Sequence, residues 1–288
     1  MKVAIVNSRT SLVVGDRLID AERASGGAVP ADPAAMFAAW PALTDTAERL
    51  DREGAGGATT SGAPALDYAA LERPVPVPLQ AFGIGLNYAD HAGESAMPLP
   101  DNPLVFPKFS SSIAGPNDPV ATRSDALDWE AELVVVIGAD CYEVTKPDAL
   151  SVIAGYTVGQ DLSDRVVQFE GGATPQFGLG KSAPGFGPVG PWVVSTDELG
   201  AAAGLDIRCY VDGVTKQSSN TCHLIFDVPT LVAYLSSRVQ LHAGDLIFTG
   251  TPAGVGFSRK PPERLHPGSR IDTTISGIGT LTTRVAGR

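Results

Sequence analysis

The stretch DWEAELVVVIG, residues 128–138, carries two carboxylates, Glu130 and Glu132, followed by an apolar run. Strand residues two apart point to one face, so the two acids share a side. Val134, Val135, Val136 and Ile137 draw that strand into the interior. There two like charges repel and are costly to desolvate. A hard divalent cation held through oxygen resolves the conflict; an exposed strand end with two solvated acids is the plain alternative. Asp161, in GYTVGQDLSDR, closes a second apolar strand. It can serve as a helix cap or as a third oxygen ligand. Three carboxylates with open positions suit Mg²⁺ or Mn²⁺. No His-x-x-x-His pattern or Cys cluster invites zinc.

Two further groups carry chemistry. His91 and Glu94 stand at i and i+3 in LNYADHAGES. On a short helical turn they share a face, and a carboxylate there orients the imidazole and raises its basicity. That is a general-base pair for activating water; a polar surface turn is the alternative. Lys181 sits in FGLGKSAPGFGPVGP, among Gly, Pro and Phe. Such a lysine can hold an anionic oxygen or an enolate, or simply point to solvent from a loop. The glycines of GIGLNY and TGTPAGVG lack the third glycine of a dinucleotide fingerprint and the Lys-Ser/Thr of a P-loop, respectively.

The elements that must position these groups are mostly strands. Strand patterns fall near 103–110, 132–139, 151–160, 191–195, 205–212, 245–249 and 270–285, with helices near 163–170 and 228–238. Residues 1–20 read as strand, turn, strand. Residues 32–51 read as a helix opened by Asp32 and Pro33. Residues 51–65, DREGAGGATTSGAPA, are rich in small residues and read as a flexible linker. The alternation of strand and helix that builds a parallel sheet is missing. The expected fold is therefore mainly β, of the α+β class. It has a small N-terminal α+β domain over residues 1–70 and a catalytic domain over residues 71–288.

With 288 residues the chain can bury a large core. A formal net charge of −11 argues against nucleic acid or an anionic membrane as partner. No apolar run approaches the roughly 20 residues needed to cross a bilayer, and the first residues lack a signal-peptide pattern. Three cysteines in no C-x-x-C pair fit a reduced, cytoplasmic compartment.

Five motifs occurring in order, GLNYADHAGE, DWEAELVVVIG, GYTVGQD, Lys181 with GPVGP, and GDLIFTGTPAGVG, resemble the fumarylacetoacetate hydrolase family, from about Leu71 to the C-terminus. The resemblance implies a mixed β-roll core, a homodimer, and a Mg²⁺ or Mn²⁺ ion on Glu130, Glu132 and Asp161. It implies 2-oxo acid substrates, His91 and Glu94 as the catalytic pair, and Lys181 as the active-site lysine. By the same resemblance Arg165, Gln168, Thr251, Lys108 and Ser110 lie near the substrate. Four departures stand out: Gln160 for an Asn, Val166 for an acid, Ala183-Pro184 for Phe-Asp, and Cys222-His223 for Ser-Asp. The implied activity is hydrolysis of a C–C bond in an acylpyruvate-like 2,4-dioxo acid. Oxaloacetate decarboxylation or keto-enol tautomerisation on the same site is the first alternative, and a non-catalytic ligand-binding relative is the second.

Overall fold

A computed structural model of the chain describes residues 1–54, 60, 62–76, 78–89, 100–121 and 124–287. Its strands are β1 (Lys2–Val6), β2 (Arg9–Val14), β3 (Arg17–Asp20), β4 (Ala81–Gly85), β5 (Leu104–Lys108), β6 (Ile113–Ala114), β7 (Val120–Ala121), β8 (Leu127–Asp128), β9 (Ala131–Ile137), β10 (Ile153–Gln160), β11 (Ser163–Asp164), β12 (Gly187–Ser195), β13 (Asp206–Val211), β14 (Val214–Asn220), β15 (Leu246–Phe248), β16 (Arg270–Ile275) and β17 (Gly279–Ala286). Among the described residues one mixed sheet follows the order β3-β2-β1-β12-β10-β9-β15-β4-β5, with β6 beside β12. A smaller sheet follows β14-β13-β16-β17-β7, and β8 pairs with β11. The fold is α+β and mostly sheet.

β9 lies inside the large sheet, antiparallel to both β10 and β15. Every residue of it is buried, which explains the continuous apolar run in place of an alternating one. Its two faces still go to different places. Leu133, Val135 and Ile137 join the main core with Tyr156, Ile207, Ile271 and Leu281, between the two sheets. Val134 and Val136 pack on the other side with Val189, Leu246 and Phe248.

The N-terminal residues form three strands where two were expected, and β1 pairs antiparallel with β12 through Val3 and Val193. The expected helix over 32–51 is broken. The Asp32 side chain caps a single 3₁₀ turn, Pro33–Ala35, and the long helix runs Trp40–Glu53. Its Leu43 and Leu50 pack against Val3, Leu12, Ile19 and Met36. Much of the expected linker, residues 55–59 and 61, lies outside the described residues. Two strands had no clear signature. β4 is AFGIG, and a Cβ on Gly83 would stand 2.3 Å from the Phe106 ring of its partner strand. β14, VTKQSSN, is an edge strand of the small sheet, so most of its side chains need no apolar partner. No helix among the described residues is long and apolar enough to cross a membrane.

Candidate active site

The antiparallel register of β9 and β10 sets Glu132 across from Gly159 and Ala131 across from Gln160. One residue further, the Asp161 amide donates to the Glu130 carbonyl at 2.9 Å. Two carboxylates from the start of one strand and one from the end of its neighbour thus meet. Glu130, Glu132 and Asp161 are all buried, and each offers an oxygen within 4.8 Å of the others.

Three cations converge on them. Lys181 Nζ donates to Glu130 Oε2 at 2.5 Å, Asp161 Oδ2 at 2.9 Å and Ser163 Oγ at 2.8 Å. Lys108 Nζ donates to Asp161 Oδ1 at 2.6 Å and to the Lys181 carbonyl at 2.5 Å. Arg165, on the short helix Arg165–Phe169, donates to Glu130 Oε1 at 2.7 Å and to Gln168 Oε1 at 2.7 Å. Its Nε donates to Asp128 Oδ2 at 2.9 Å. Buried charges survive only when paired and hydrogen-bonded, and each of these is.

Protonation follows from that crowding. Burial, reinforced by the charges of Asp161 and Glu130, pushes the Glu132 carboxyl well above the ordinary carboxylate range. Its Oε2 accepts from the Gly250 amide at 2.8 Å, a weaker counterweight. Burial lowers the Lys108 ammonium, against the pull of Asp161. Burial also works against a charged Lys181, but Asp161 and Glu130 outweigh it, and its pKa is raised. The result is a dense site in which Glu132 is the carboxylate least compensated by protein cations.

That donor set fits a hard divalent cation. It consists of carboxylate oxygens alone, and one of the carboxylates, Glu132, is driven toward its protonated form by burial and by its neighbours' charges, a cost of ionisation that a bound cation would relieve. Glu130 and Glu132 also open into a cavity of about 400 Å³, lined by Arg165, Gln168, Lys181 and Thr251 at this end. Backbone conformation supports the floor. Gly250, at φ +102°, turns its amide toward Glu132, and a Cβ there would lie 2.8 Å from that of Asn87.

The structure thus brings together Glu130, Glu132, Asp161, Lys181, Lys108, Arg165, Gln168 and Thr251. Lys108 lies beneath, on Asp161, and is absent from the cavity lining. The Thr251 hydroxyl is engaged in the fold, donating to the Ala131 carbonyl at 2.9 Å and accepting from Gln217 at 2.7 Å. Ser110 is not among the lining residues and donates to the Pro78 carbonyl at 2.8 Å. His91 and Glu94 lie outside the described residues.

Sequence reasoning missed Asp128. Fully buried, it accepts from the amides of Gly256 at 2.7 Å and Phe257 at 2.9 Å while holding Arg165. The signal was available, since Asp128, Glu130 and Glu132 continue one period-two series. The Gln160 departure supports the site: its Oε1 accepts from the Glu130 amide at 2.9 Å, and its Nε2 donates to Thr273 at 2.7 Å. Val166 is exposed at the surface, whereas Arg165 and Gln168 on the same helix are buried.

The model of the fumarylacetoacetate (FAA) hydrolase C-terminal domain matches residues 80–286. A protein of Burkholderia multivorans, provisionally named a hydrolase, is 48% identical over 201 residues, 69% of this chain and 71% of its own. A provisionally named HpcE protein from Mycobacterium smegmatis is 40% identical with a TM-score of 0.86, over 100% of this chain and 99% of its own. A provisionally named 2-hydroxyhepta-2,4-diene-1,7-dioate isomerase from Mycobacterium abscessus is 29% identical with a TM-score of 0.80, over 100% and 99% of the chains. A maleylpyruvate hydrolase from Sphingobium sp. SYK-6, solved with manganese(II) and pyruvate, is 28% identical with a TM-score of 0.77, over 100% and 99%. Hydrolases and isomerases therefore share this architecture, and the chain belongs to the fumarylacetoacetate hydrolase family.

Proposed function

We propose that the chain is a Mg²⁺- or Mn²⁺-dependent hydrolase of an acylpyruvate-like 2,4-dioxo acid, with the chemistry carried by residues 71–288. The observation that supports this best is the buried trio Glu130, Glu132 and Asp161, of which Glu130 and Glu132 open into a cavity beside Lys181. The similar maleylpyruvate hydrolase, with its manganese(II) and pyruvate, points the same way. Glu130, Glu132 and Asp161 would hold a divalent cation, which would supply Lewis acidity toward the 2-oxo acid end of the substrate.

The chain's own groups do the rest. The Lys181 ammonium, kept charged by Asp161 and Glu130, offsets by its positive charge the negative charge developing on the 2-oxo oxygen. Arg165 is locked between Asp128 and Glu130 and holds Gln168 in turn. Together they fix the orientation of Glu130 and of the substrate's polar end. His91, oriented by Glu94, takes the proton of a water that attacks the 4-carbonyl. This role rests on the sequence pattern. The C3–C4 bond breaks, C3 gains a proton, and a carboxylic acid and a pyruvate leave.

A second reading keeps the site and omits the water: decarboxylation of oxaloacetate, or isomerisation, as the named function of the similar dioate isomerase suggests. A panel of acylpyruvates and oxaloacetate, with and without Mg²⁺ or Mn²⁺, separates them. Metal-dependent release of pyruvate and an acid is the expected result. Turnover of oxaloacetate alone would install the second reading, and turnover of neither would leave a binding protein.

A further inference from the structure

The cavity is charged at one end only. Arg165 and Lys181 are the cationic groups among its described lining residues, and both are already committed to Glu130 and its neighbours. Away from that end the wall is mostly apolar, with four phenylalanines and one hydroxyl, Ser258. Phe106 stacks on Phe177, with ring centroids 5.6 Å apart, and Phe169 stacks on Phe257 at 5.1 Å. Leu104, Val255, Ile84, Leu86 and Pro175 add aliphatic surface to that wall. The nearby Arg259 offers no second cation: it donates to the Gly254 and Lys216 carbonyls and lies over Trp129.

Three of these side chains are conspicuously uncovered. Leu104 is 37% exposed, Phe169 38% and Phe257 47%, though all three line the cavity. Phe169 is four residues from Arg165 on one short helix, so a single element presents an ion-paired end and an apolar end. A ligand with an apolar group beyond its chelating end would cover these rings. A second carboxylate placed there would be desolvated without a cationic partner among the described lining residues.

Resting on the reading of the site as one for 2-oxo acids, we propose that this chain selects substrates whose acyl end is apolar, aromatic or branched-alkyl, and rejects those ending in a second carboxylate. Such a preference separates it from relatives named for a dioate.

The test compares two stable 2-oxo acids that share the chelating end, 2-oxo-4-phenylbutanoate and 2-oxoadipate, titrated into the Mn²⁺-loaded protein by calorimetry. Hydrolysis of benzoylpyruvate and of 2,4-dioxoheptanedioate is measured alongside. The phenyl compound is expected to bind at least on the order of 10-fold tighter, the scale of discrimination an apolar pocket provides. Phe257→Arg, a change at a half-exposed position, is expected to narrow or reverse that ratio. Equal or tighter binding of 2-oxoadipate to the native protein overturns the proposal, as does binding of neither acid. If the preference holds but neither dioxo acid is cleaved, the hydrolase reading falls and the apolar-end assignment stands.

Discussion

Asp161 accepts from two buried ammonium groups, Lys108 and Lys181, while offering an oxygen to the carboxylate trio. Removing one partner of a buried pair leaves an uncompensated charge and costs about 3–5 kcal/mol. Asp161→Ala is therefore expected to lose both Mn²⁺ affinity and stability, read by calorimetry and chemical denaturation. Asp161→Asn retains one acceptor and should keep more stability while still losing Mn²⁺. Unchanged Mn²⁺ affinity in both variants would remove Asp161 from the site. Glu132 yields a pH dependence. Its folded pKa is raised above the ordinary 4.5, so the metal-free protein holds that proton and loses stability as pH rises through the folded value. Mn²⁺ needs the ionised form, so its stabilisation grows over the same window. The rise in Tm on adding Mn²⁺ should be larger at about pH 8 than at about pH 6; an equal or smaller rise at the higher pH would contradict it. The acids were legible in the sequence because period-two spacing and a strand end are local. That Lys108 lies under Asp161, 53 residues away, depends on sheet register and has no local signature.

At the scale of elements, the site depends on how β9, β10 and the turn after β15 are held. Gly250 carries φ +102° and delivers its amide to Glu132. Gly250→Ala forces a side chain into an unfavourable backbone region, at a cost of roughly 1–3 kcal/mol, and crowds Asn87. Both thermal stability and Mn²⁺ affinity are expected to fall; a variant with native values in both would show that this turn does not support the floor. β9 and β10 were readable as apolar runs buried on two faces, but β12 only over 191–195, since its first half, Gly187 to Gly190, is glycine- and proline-rich. β4 and β14 were not, because one is rich in glycine for close approach to Phe106 and the other is a polar edge. The helix expected over 32–51 broke because a 3₁₀ turn with its own cap, Asp32, precedes a second start near Pro41.

At the scale of the molecule, β9 and β15 are buried on both faces within a single chain. Their apolar runs, which resemble an argument for assembly when read as sequence, are satisfied without a second copy. The homodimer is thus proposed from family membership, and light scattering at micromolar concentration tests it: a dimer mass is expected, and a monomer would contradict it. The two-part division at residue 70 was read from composition. The pairing of β1 with β12, with Val3 opposite Val193, is a contact that composition could not signal.

The proposed hydrolase directs water at the 4-carbonyl of a 2,4-dioxo acid. Turnover of benzoylpyruvate by the Mn²⁺-loaded protein in ¹⁸O-water tests it most directly, with the benzoate and pyruvate analysed by mass spectrometry. Expected are one ¹⁸O in the benzoate carboxylate, no reaction without metal, and a loss on the order of 10²–10⁴ in rate for His91→Ala with Mn²⁺ affinity intact. Benzoate carrying no label, or a substrate that is only tautomerised or decarboxylated, would contradict it.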